Sequence, residues 1–272
     1  MSDPLTVGQA ILLGVIQGLT EFLPVSSSGH LALAEAYLRI PGAGIAVAVL
    51  LHAGTLLAIA LVFPQGWKHL LLGLRDLFRA PFAGPSGWSE DARLAAQVTC
   101  AAVPGAVVGL TLADRVVSAF HDPRLVGVLL LVTAGLLFLT RRARMDGRAV
   151  GFREAWLVGA VQALAILPGI SRSGATIAAA LLIGVSRPAA AEFSFLAAIP
   201  LVVGSTLLSV PELGRDVLAG GAGALLCGFL TSCLVGWAAL AWLVRLVRRG
   251  QLHWFGFYCA VVGTVVLLWP PA

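Results

Sequence analysis

Charged residues are scarce in this 272-residue chain. Asp, Glu, Lys and Arg together make up 11% of it, whereas about 25% is usual in a soluble domain. Hydrophobic residues reach 59%, and the mean hydropathy is +0.95. No polar stretch is long enough to form a second domain. The composition therefore excludes an ordinary soluble protein and predicts a single integral membrane domain over residues 1–272.

Alternating polar and apolar strands are also missing. The apolar runs are continuous and about 20 residues long, the length of a membrane-spanning helix, whereas the strands of a membrane barrel alternate over about 10 residues. We therefore predict an all-α polytopic fold. No basic stretch is interleaved with aromatic residues, so the net charge of +5 is interpreted as loop charge that sets orientation, and no nucleic-acid partner is indicated.

Paired cysteines and a basic leader are absent as well. The four cysteines lie inside apolar runs and form no CxxC pair, which is typical of buried structural thiols; they are Cys100, Cys227, Cys233 and Cys259. The first four residues, MSDP, carry no basic side chain, unlike the start of a cleaved signal peptide. The first apolar segment is therefore expected to remain in the protein.

Long apolar runs predict six full membrane spans. They cover residues 45–63, 94–112, 125–140, 189–210, 221–244 and 253–269. A longer polar connection after the first span holds a predicted amphipathic surface helix near residues 67–82, and residues 113–124 are predicted to form a loop. Trp156, Trp242, Trp254 and Trp269 fall near predicted helix ends, as aromatic residues at a membrane interface do.

Two further apolar segments are each interrupted by a polar turn. Residues 7–19 and 31–38 flank one turn, and residues 155–165 and 174–184 flank the other. Each half is too short to cross a bilayer, which needs about 20 residues. Such pairs predict two re-entrant helical hairpins, whose irregular backbone is tolerated at membrane depth only when it is buried in protein or lines a cavity.

Lysine and arginine counts predict the orientation of the chain. The loops on one side of the six spans hold 13 of these residues and the opposite loops hold four, while Arg172 lies in the second turn. The basic side is expected to be cytoplasmic, so both termini face outward, the first hairpin enters from outside and the second from inside.

The two hairpins also resemble one another in sequence. Residues 14–17 (GVIQ) align with residues 159–162 (GAVQ); farther along, Ser26, Ser28 and Gly29 align with Ser171, Ser173 and Gly174. Together with the opposed orientations, this predicts an inverted repeat with halves at about 1–140 and 150–272, and a site at the midplane where the broken helices meet.

The first turn gathers groups that can carry chemistry. Within ten residues it holds Glu21, three hydroxyls, a glycine and His30, and polar groups at membrane depth are usually functional. The serines could simply cap a helix that begins near Gly29. The same helix N-terminus could instead bind phosphate, and a serine could attack it if Glu21 or His30 took the proton. A structural role for His30 is the alternative.

The second turn supplies a cation. Arg172 lies between two serines among apolar helices and needs an anionic partner, for which its planar fork favours phosphate; pairing only with Glu21 is the alternative. Gln17 lies one helical turn before Glu21. This pair could hold a divalent ion that arrives with substrate phosphates, because Mg²⁺ commonly takes one or two carboxylates plus phosphate oxygens. His52 and Glu192 are weaker candidates.

At these residues the chain resembles the undecaprenyl-diphosphate phosphatase family of the bacitracin-resistance type. The resemblance rests on QGLTEFLPVSSSGH at 17–30, PGISRSGAT at 168–176 and EFSFL at 192–196. It implies six spans, two opposed re-entrant hairpins and often a homodimer in the bacterial inner membrane. It also implies removal of the terminal phosphate from a polyprenyl diphosphate, with Mg²⁺ or Ca²⁺, in a cleft that faces the periplasm.

The resemblance implies roles for individual residues. Those that match the family's catalytic positions are Glu21, Ser27, His30 and Arg172. By the same resemblance Ser26, Ser171, Ser173 and Thr176 line the site, and substrate binding is expected also of Ser28, Gly29 and Gly174. Metal binding is expected of Glu21 and Gln17, although many members carry glutamate in place of Gln17. Attack by Ser27 and direct attack by a water assisted by His30 both stay open, as do a polyprenyl-phosphate flippase and a non-catalytic lipid-binding module as alternative functions.

Overall fold

The computed structural model describes residues 5–38, 45–79, 87–143, 147–208 and 222–270. Within these ranges the regular structure is helical, apart from one isolated parallel bridge between Arg148 and Val185. The predicted all-helical class is therefore confirmed. The helices are α1 (Val7–Phe22), α2 (Ser27–Leu38), α3 (Ile45–Val62), α4 (Pro64–Arg79), α5 (Glu90–Thr111), α6 (Ala113–Phe120), α7 (Pro123–Leu139), α8 (Phe152–Leu164), α9 (Arg172–Leu182), α10 (Arg187–Leu196), α11 (Ile199–Leu208), α12 (Ala222–Arg248) and α13 (Trp254–Leu268).

Several of these helices are long and apolar enough to cross a bilayer. In the described part of the chain four stretches qualify: α5, α7 with its short 3-10 extension to Arg142, α10 with α11, and α12. Helices α3 and α4 meet at a bend of 100° and give a fifth if they are counted as one. The chain is thus a multi-pass membrane protein. The sixth predicted span forms α13, which has 15 residues, so the count of six stays a prediction.

Two segments differ in detail from the sequence-based expectation. The predicted span 189–210 corresponds to the stretch Arg187–Leu208, which is long and apolar enough to cross a bilayer. Its helix is interrupted between Leu196 and Ile199, because Pro200 has no N–H to donate and its ring clashes with the carbonyl four residues earlier, at Leu196. The predicted loop 113–124 contains the two-turn helix α6, after which Asp122 caps α7 by accepting hydrogen bonds from the next N–H groups. The predicted surface helix is α4. Residues 39–44, between the first hairpin and the first predicted span, and residues 211–220, between the fourth and fifth predicted spans, are expected to form loops and lie outside the described residues.

Close backbone contacts hold the first helix of each hairpin in place. Helix α1 packs on α12, and α8 packs on α5. A Cβ added at Gly14 would lie 2.6 Å from the Gly228 carbonyl oxygen, and one added at Gly159 would lie 2.4 Å from the Ala101 carbonyl oxygen. Small residues permit this approach between membrane helices. These contacts fix where each hairpin turn lies inside the helical bundle.

Gly159→Ala is expected to destabilise the protein. The new methyl group would overlap the α5 backbone, and overpacking of this kind costs about 1–3 kcal/mol. Thermal unfolding in detergent measures the effect. Gly135→Ala is the control, because a Cβ there meets nothing within 4 Å and alanine is the better helix former. Equal unfolding temperatures for the two variants would contradict the α5–α8 contact.

Candidate active site

The first hairpin turn ends in a serine cap. Ser26 has a φ of +71°, a left-handed conformation that is uncommon for residues other than glycine and that often marks functional sites. Its Oγ accepts a hydrogen bond of 3.2 Å from the Gly29 N–H. Helix α2 therefore begins at Ser27, two residues before the predicted start near Gly29.

The second hairpin turn repeats this arrangement. Ser171 is the N-cap of α9, and its Oγ accepts a hydrogen bond of 3.1 Å from the Gly174 N–H. Arg172 is therefore the first residue of α9, as Ser27 is of α2. In each turn the capping hydroxyl also lies close to a second serine: Ser28 Oγ at 3.3 Å from Ser26 Oγ, and Ser173 Oγ at 3.2 Å from Ser171 Oγ.

The two turns are in direct contact. The Gly169 N–H donates a hydrogen bond of 3.0 Å to Ser26 Oγ. Gly169 has a φ of +105°, and a Cβ there would lie 2.6 Å from the Val126 carbonyl oxygen, so only glycine fits. Thr133 of α7 holds the same turn from behind: its hydroxyl donates to the Gly169 carbonyl at 2.8 Å and accepts from the Ser171 N–H at 3.0 Å.

Glu21 is the centre of the polar cluster. Its side chain is only 5% exposed. One carboxylate oxygen accepts a hydrogen bond from the Arg172 guanidinium, and the other accepts from Ser27 Oγ at 2.7 Å and from Gln17 Nε2 at 2.9 Å. His52 Nε2 lies 3.4 Å from the second oxygen. A buried carboxylate is tolerated only with such partners, and here they come from α1, α2, α3 and α9.

Arg172 has an unused donor. Its Nη2 pairs with Glu21, whereas its Nη1 is buried and has no hydrogen-bond partner within the structure as described. The pairing that the sequence offered as an alternative to phosphate binding is therefore present, but it uses only part of the guanidinium. A buried N–H left without an acceptor costs about 1–3 kcal/mol. An anionic oxygen beside Glu21 and Ser27 would remove that cost.

The two ring nitrogens of His30 form hydrogen bonds with groups other than Ser27. Its Nδ1 lies 2.9 Å from the Ser26 carbonyl oxygen, and its Nε2 lies 2.8 Å from the Tyr258 hydroxyl. The Ser27 hydroxyl donates to Glu21 instead. In the described part of the chain, Glu21 is therefore the base that is hydrogen-bonded to Ser27. A hydrogen bond from a serine to a base is the geometry that activates the serine as a nucleophile.

Gln17 and Glu21 offer a limited set of metal ligands. Gln17 Oε1 is buried beside the Glu21 carboxylate and has no partner within the described ranges. Those ranges contain no cluster of three or more His, Cys, Asp or Glu side chains that could hold an ion. One carboxylate and one free amide oxygen fit an ion such as Mg²⁺ that takes its remaining ligands from phosphate and water.

Two other candidate residues, Thr176 and Glu192, make contacts outside the Glu21–Ser27–Arg172 side-chain cluster. The hydroxyl of Thr176 donates to the Arg172 carbonyl within its own helix, so it supports the turn. Glu192 Oε1 lies against Gly66 of α4. Sequence reasoning missed Thr133 and Tyr258. A lone buried hydroxyl in an apolar span could have indicated Thr133, whereas no local pattern indicates Tyr258, which is 228 residues from His30.

Comparison with known proteins agrees with the geometry. The family model described as bacitracin resistance protein BacA matches residues 10–265. An undecaprenyl-diphosphatase of Syntrophotalea carbinolica is 44% identical over 260 residues, covering 93% of this chain and 95% of the relative. Undecaprenyl-diphosphatases of Desulfatibacillum aliphaticivorans and Korarchaeum cryptofilum are 41% and 40% identical, each covering 96% of this chain and 97% and 98% of the relative. The chain belongs to the bacitracin resistance protein BacA family.

Proposed function

We propose that this protein is a membrane phosphatase that hydrolyses undecaprenyl diphosphate to the monophosphate and inorganic phosphate. This reaction recycles the lipid carrier for cell-wall synthesis and opposes bacitracin. One observation carries the proposal: Arg172 holds the Glu21 carboxylate through Nη2, the same carboxylate accepts a hydrogen bond from Ser27, and the buried Arg172 Nη1 has no partner among the described residues. The names of relatives that are 40–44% identical over nearly the whole chain support it.

The geometry favours Ser27 as the nucleophile. Its Oγ would form a bond to the terminal phosphorus as the bond from that phosphorus to the bridging oxygen breaks, and the lipid monophosphate leaves. Glu21 takes the Ser27 proton through the existing hydrogen bond of 2.7 Å. Water then hydrolyses the phosphoserine to release inorganic phosphate. Direct attack by water assisted by His30 is the competing route, and Arg172 binds the phosphate in both.

The remaining predicted site residues are proposed to hold the diphosphate. Both turns place helix N-termini and hydroxyls beside Arg172, and helix N-termini favour phosphate. These residues are Ser26, Ser28, Gly29, Ser171, Ser173 and Gly174, with Thr176 acting indirectly through its hydrogen bond to the Arg172 carbonyl. The isoprenoid chain would lie among the apolar helices, within the bilayer.

A divalent ion, Mg²⁺ or Ca²⁺, is proposed to accompany the substrate. Gln17 and Glu21 would hold it through the free Gln17 Oε1 and the carboxylate. When bound, the ion neutralises charge on the phosphates. Among the described residues, Arg172 is the only lysine or arginine in contact with Glu21. It would be the main positive charge at the site if no ion were bound. The ion is therefore expected to be needed for full turnover.

We further propose an inverted repeat with halves at about 1–140 and 150–272. Equivalent positions of the alignment have equivalent surroundings, which supports it: Gly14 and Gly159 both touch a neighbouring backbone, and Ser26 and Ser171 both cap a helix. Six spans and two opposed hairpins would complete this architecture. The charge distribution supports a site that faces the periplasm of a bacterial inner membrane; a homodimer stays a prediction from the resemblance.

Phosphate release by the purified protein in detergent tests the function, because transport is undefined there. We expect release from undecaprenyl diphosphate that requires Mg²⁺ or Ca²⁺, stops with a chelator and falls at least about a hundredfold in Ser27→Ala. Ser186→Ala is the control, since Ser186 precedes α10 without a side-chain capping bond. A wild-type protein without release would overturn the enzyme in favour of a flippase. Full turnover in Ser27→Ala would leave only the water route.

A further inference from the structure

We propose that Tyr258 is a positioning residue for His30, holding its imidazole in one tautomer and one orientation. The proposal rests on the proposed function and on the catalytic position that the family resemblance implies for His30. Tyr258 belongs to α13, at the far end of the chain from the hairpin that carries His30. None of the sequence motifs contains it.

The hydrogen bonds determine which nitrogen of His30 carries the proton. His30 Nδ1 lies 2.9 Å from the Ser26 carbonyl oxygen. A carbonyl can only accept, so Nδ1 carries the hydrogen and donates. In a neutral imidazole the other nitrogen is then an acceptor. Tyr258, whose oxygen is 2.8 Å from Nε2, must therefore donate its hydroxyl hydrogen to His30.

Ring packing reinforces this hydrogen bond. The His30 and Tyr258 rings are stacked, with centroids 5.7 Å apart and planes inclined by 15°. Next to Tyr258 in the chain, the Cys259 thiol donates to the Pro24 carbonyl at 3.4 Å. Helix α13 is thus attached to the first hairpin turn at two consecutive residues, and Tyr258 is held in place beside the imidazole.

The surroundings of His30 offer little else to its Nε2. His30 lies at one end of an open apolar groove of about 390 Å³ between α1, α2 and α13, whose walls include Ile16, Leu33 and Val262. Tyr37, which lines the groove, donates its hydroxyl to the Trp269 carbonyl instead. Without the Tyr258 hydroxyl, Nε2 would lose its hydrogen-bond partner, and the imidazole would gain by rotating toward another one.

Tyr258→Phe tests the proposal because it removes the hydroxyl and keeps the stacked ring. We expect kcat to fall about tenfold while KM stays within about twofold, since the imidazole acts in the reaction and not in substrate capture. Tyr37→Phe is the matched control with wild-type kcat, as these are the two tyrosines of the chain. A Tyr258→Phe enzyme with wild-type kcat would overturn the proposal.

A double-mutant cycle separates positioning from an independent role. In a His30→Gln background, Tyr258→Phe is expected to cost nothing more, because its effect passes through the imidazole. An undiminished further loss in that background would overturn the proposal, and so would a His30→Gln enzyme with full activity.

A spectroscopic measurement tests positioning without relying on turnover. Selective ¹⁵N labelling of histidine, with His30 assigned by His30→Gln, reports the tautomer directly. We expect the wild-type protein to show the Nδ1–H form with a hydrogen-bonded Nε2, and Tyr258→Phe to shift the Nε2 resonance toward its unbonded position. An unchanged His30 spectrum in Tyr258→Phe would overturn positioning even if phosphate release failed, so the two failures are distinguishable.

Discussion

Arg172→Lys is expected to lower kcat/KM for phosphate release at least about a hundredfold. The loss is smaller than the roughly 10³–10⁵-fold effect of removing an arginine that stabilises a phosphoryl transition state, because lysine keeps the charge. Arg172 uses Nη2 to hold Glu21, while its buried Nη1 has no hydrogen-bond partner among the described residues. A planar guanidinium can bind both anions at once, whereas the compact lysine ammonium sits with one of them. Initial rates of phosphate release over a range of substrate concentrations measure the loss.

Lysine is a sharper test here than alanine. Arg172→Ala would leave Glu21 buried without its cation, and breaking a buried pair in this way costs about 3–5 kcal/mol, so lost activity could reflect lost folding. Arg172→Lys retains the charge, and a thermal unfolding curve checks that the protein is folded. Arg153→Lys is the matched control, since Arg153 is an exposed residue in the first turn of α8. Turnover within about twofold of wild type would contradict bidentate recognition.

The meeting of the two turns could be predicted because membrane burial leaves few alternatives. A carboxylate, an arginine and six serine or threonine hydroxyls in apolar surroundings must find partners, and each turn carries the groups that the other lacks. The structure bears this out at Glu21 and Arg172. The exact start of α2 could not be predicted in the same way. Ser26 caps this helix at a φ of +71°, whereas Ser171 caps α9 at a φ of −71°, and a run of three serines does not specify which of them is the cap.

The parts of the site that the sequence did not predict depend on contacts between segments far apart in the chain. Tyr258 and Thr133 lie in apolar helices that give no periodic signal for their partners. The hydrogen bond from His30 Nδ1 to the Ser26 carbonyl turns the imidazole toward α13. The sequence left Glu21 and His30 open as the base for Ser27, and the structure has Ser27 hydrogen-bonded to Glu21. Sequence spacing places residues on a helix face, but the rotamer is chosen by three-dimensional neighbours.

Glu21→Gln is expected to lower kcat about a thousandfold, within the range that loss of a general base produces. The substitution preserves shape and removes the charge. Glu21 accepts hydrogen bonds from three side chains, those of Arg172, Ser27 and Gln17. An amide has one acceptor oxygen and two N–H donors, so at least one of these donors would face another donor. Phosphate release under saturating substrate and Mg²⁺ gives the measurement.

Glu90→Gln serves as the control, because Glu90 is exposed in the first turn of α5. The dependence of the residual Glu21→Gln activity on Mg²⁺ then separates two roles of the carboxylate. If Glu21 holds the ion with Gln17, the variant needs a higher Mg²⁺ concentration for half-maximal rate. If Glu21 acts only as the base, that concentration is unchanged while kcat falls. A wild-type kcat in Glu21→Gln would show that Glu21 has neither role. The base for the Ser27 proton would then be His30, the remaining candidate of the first turn.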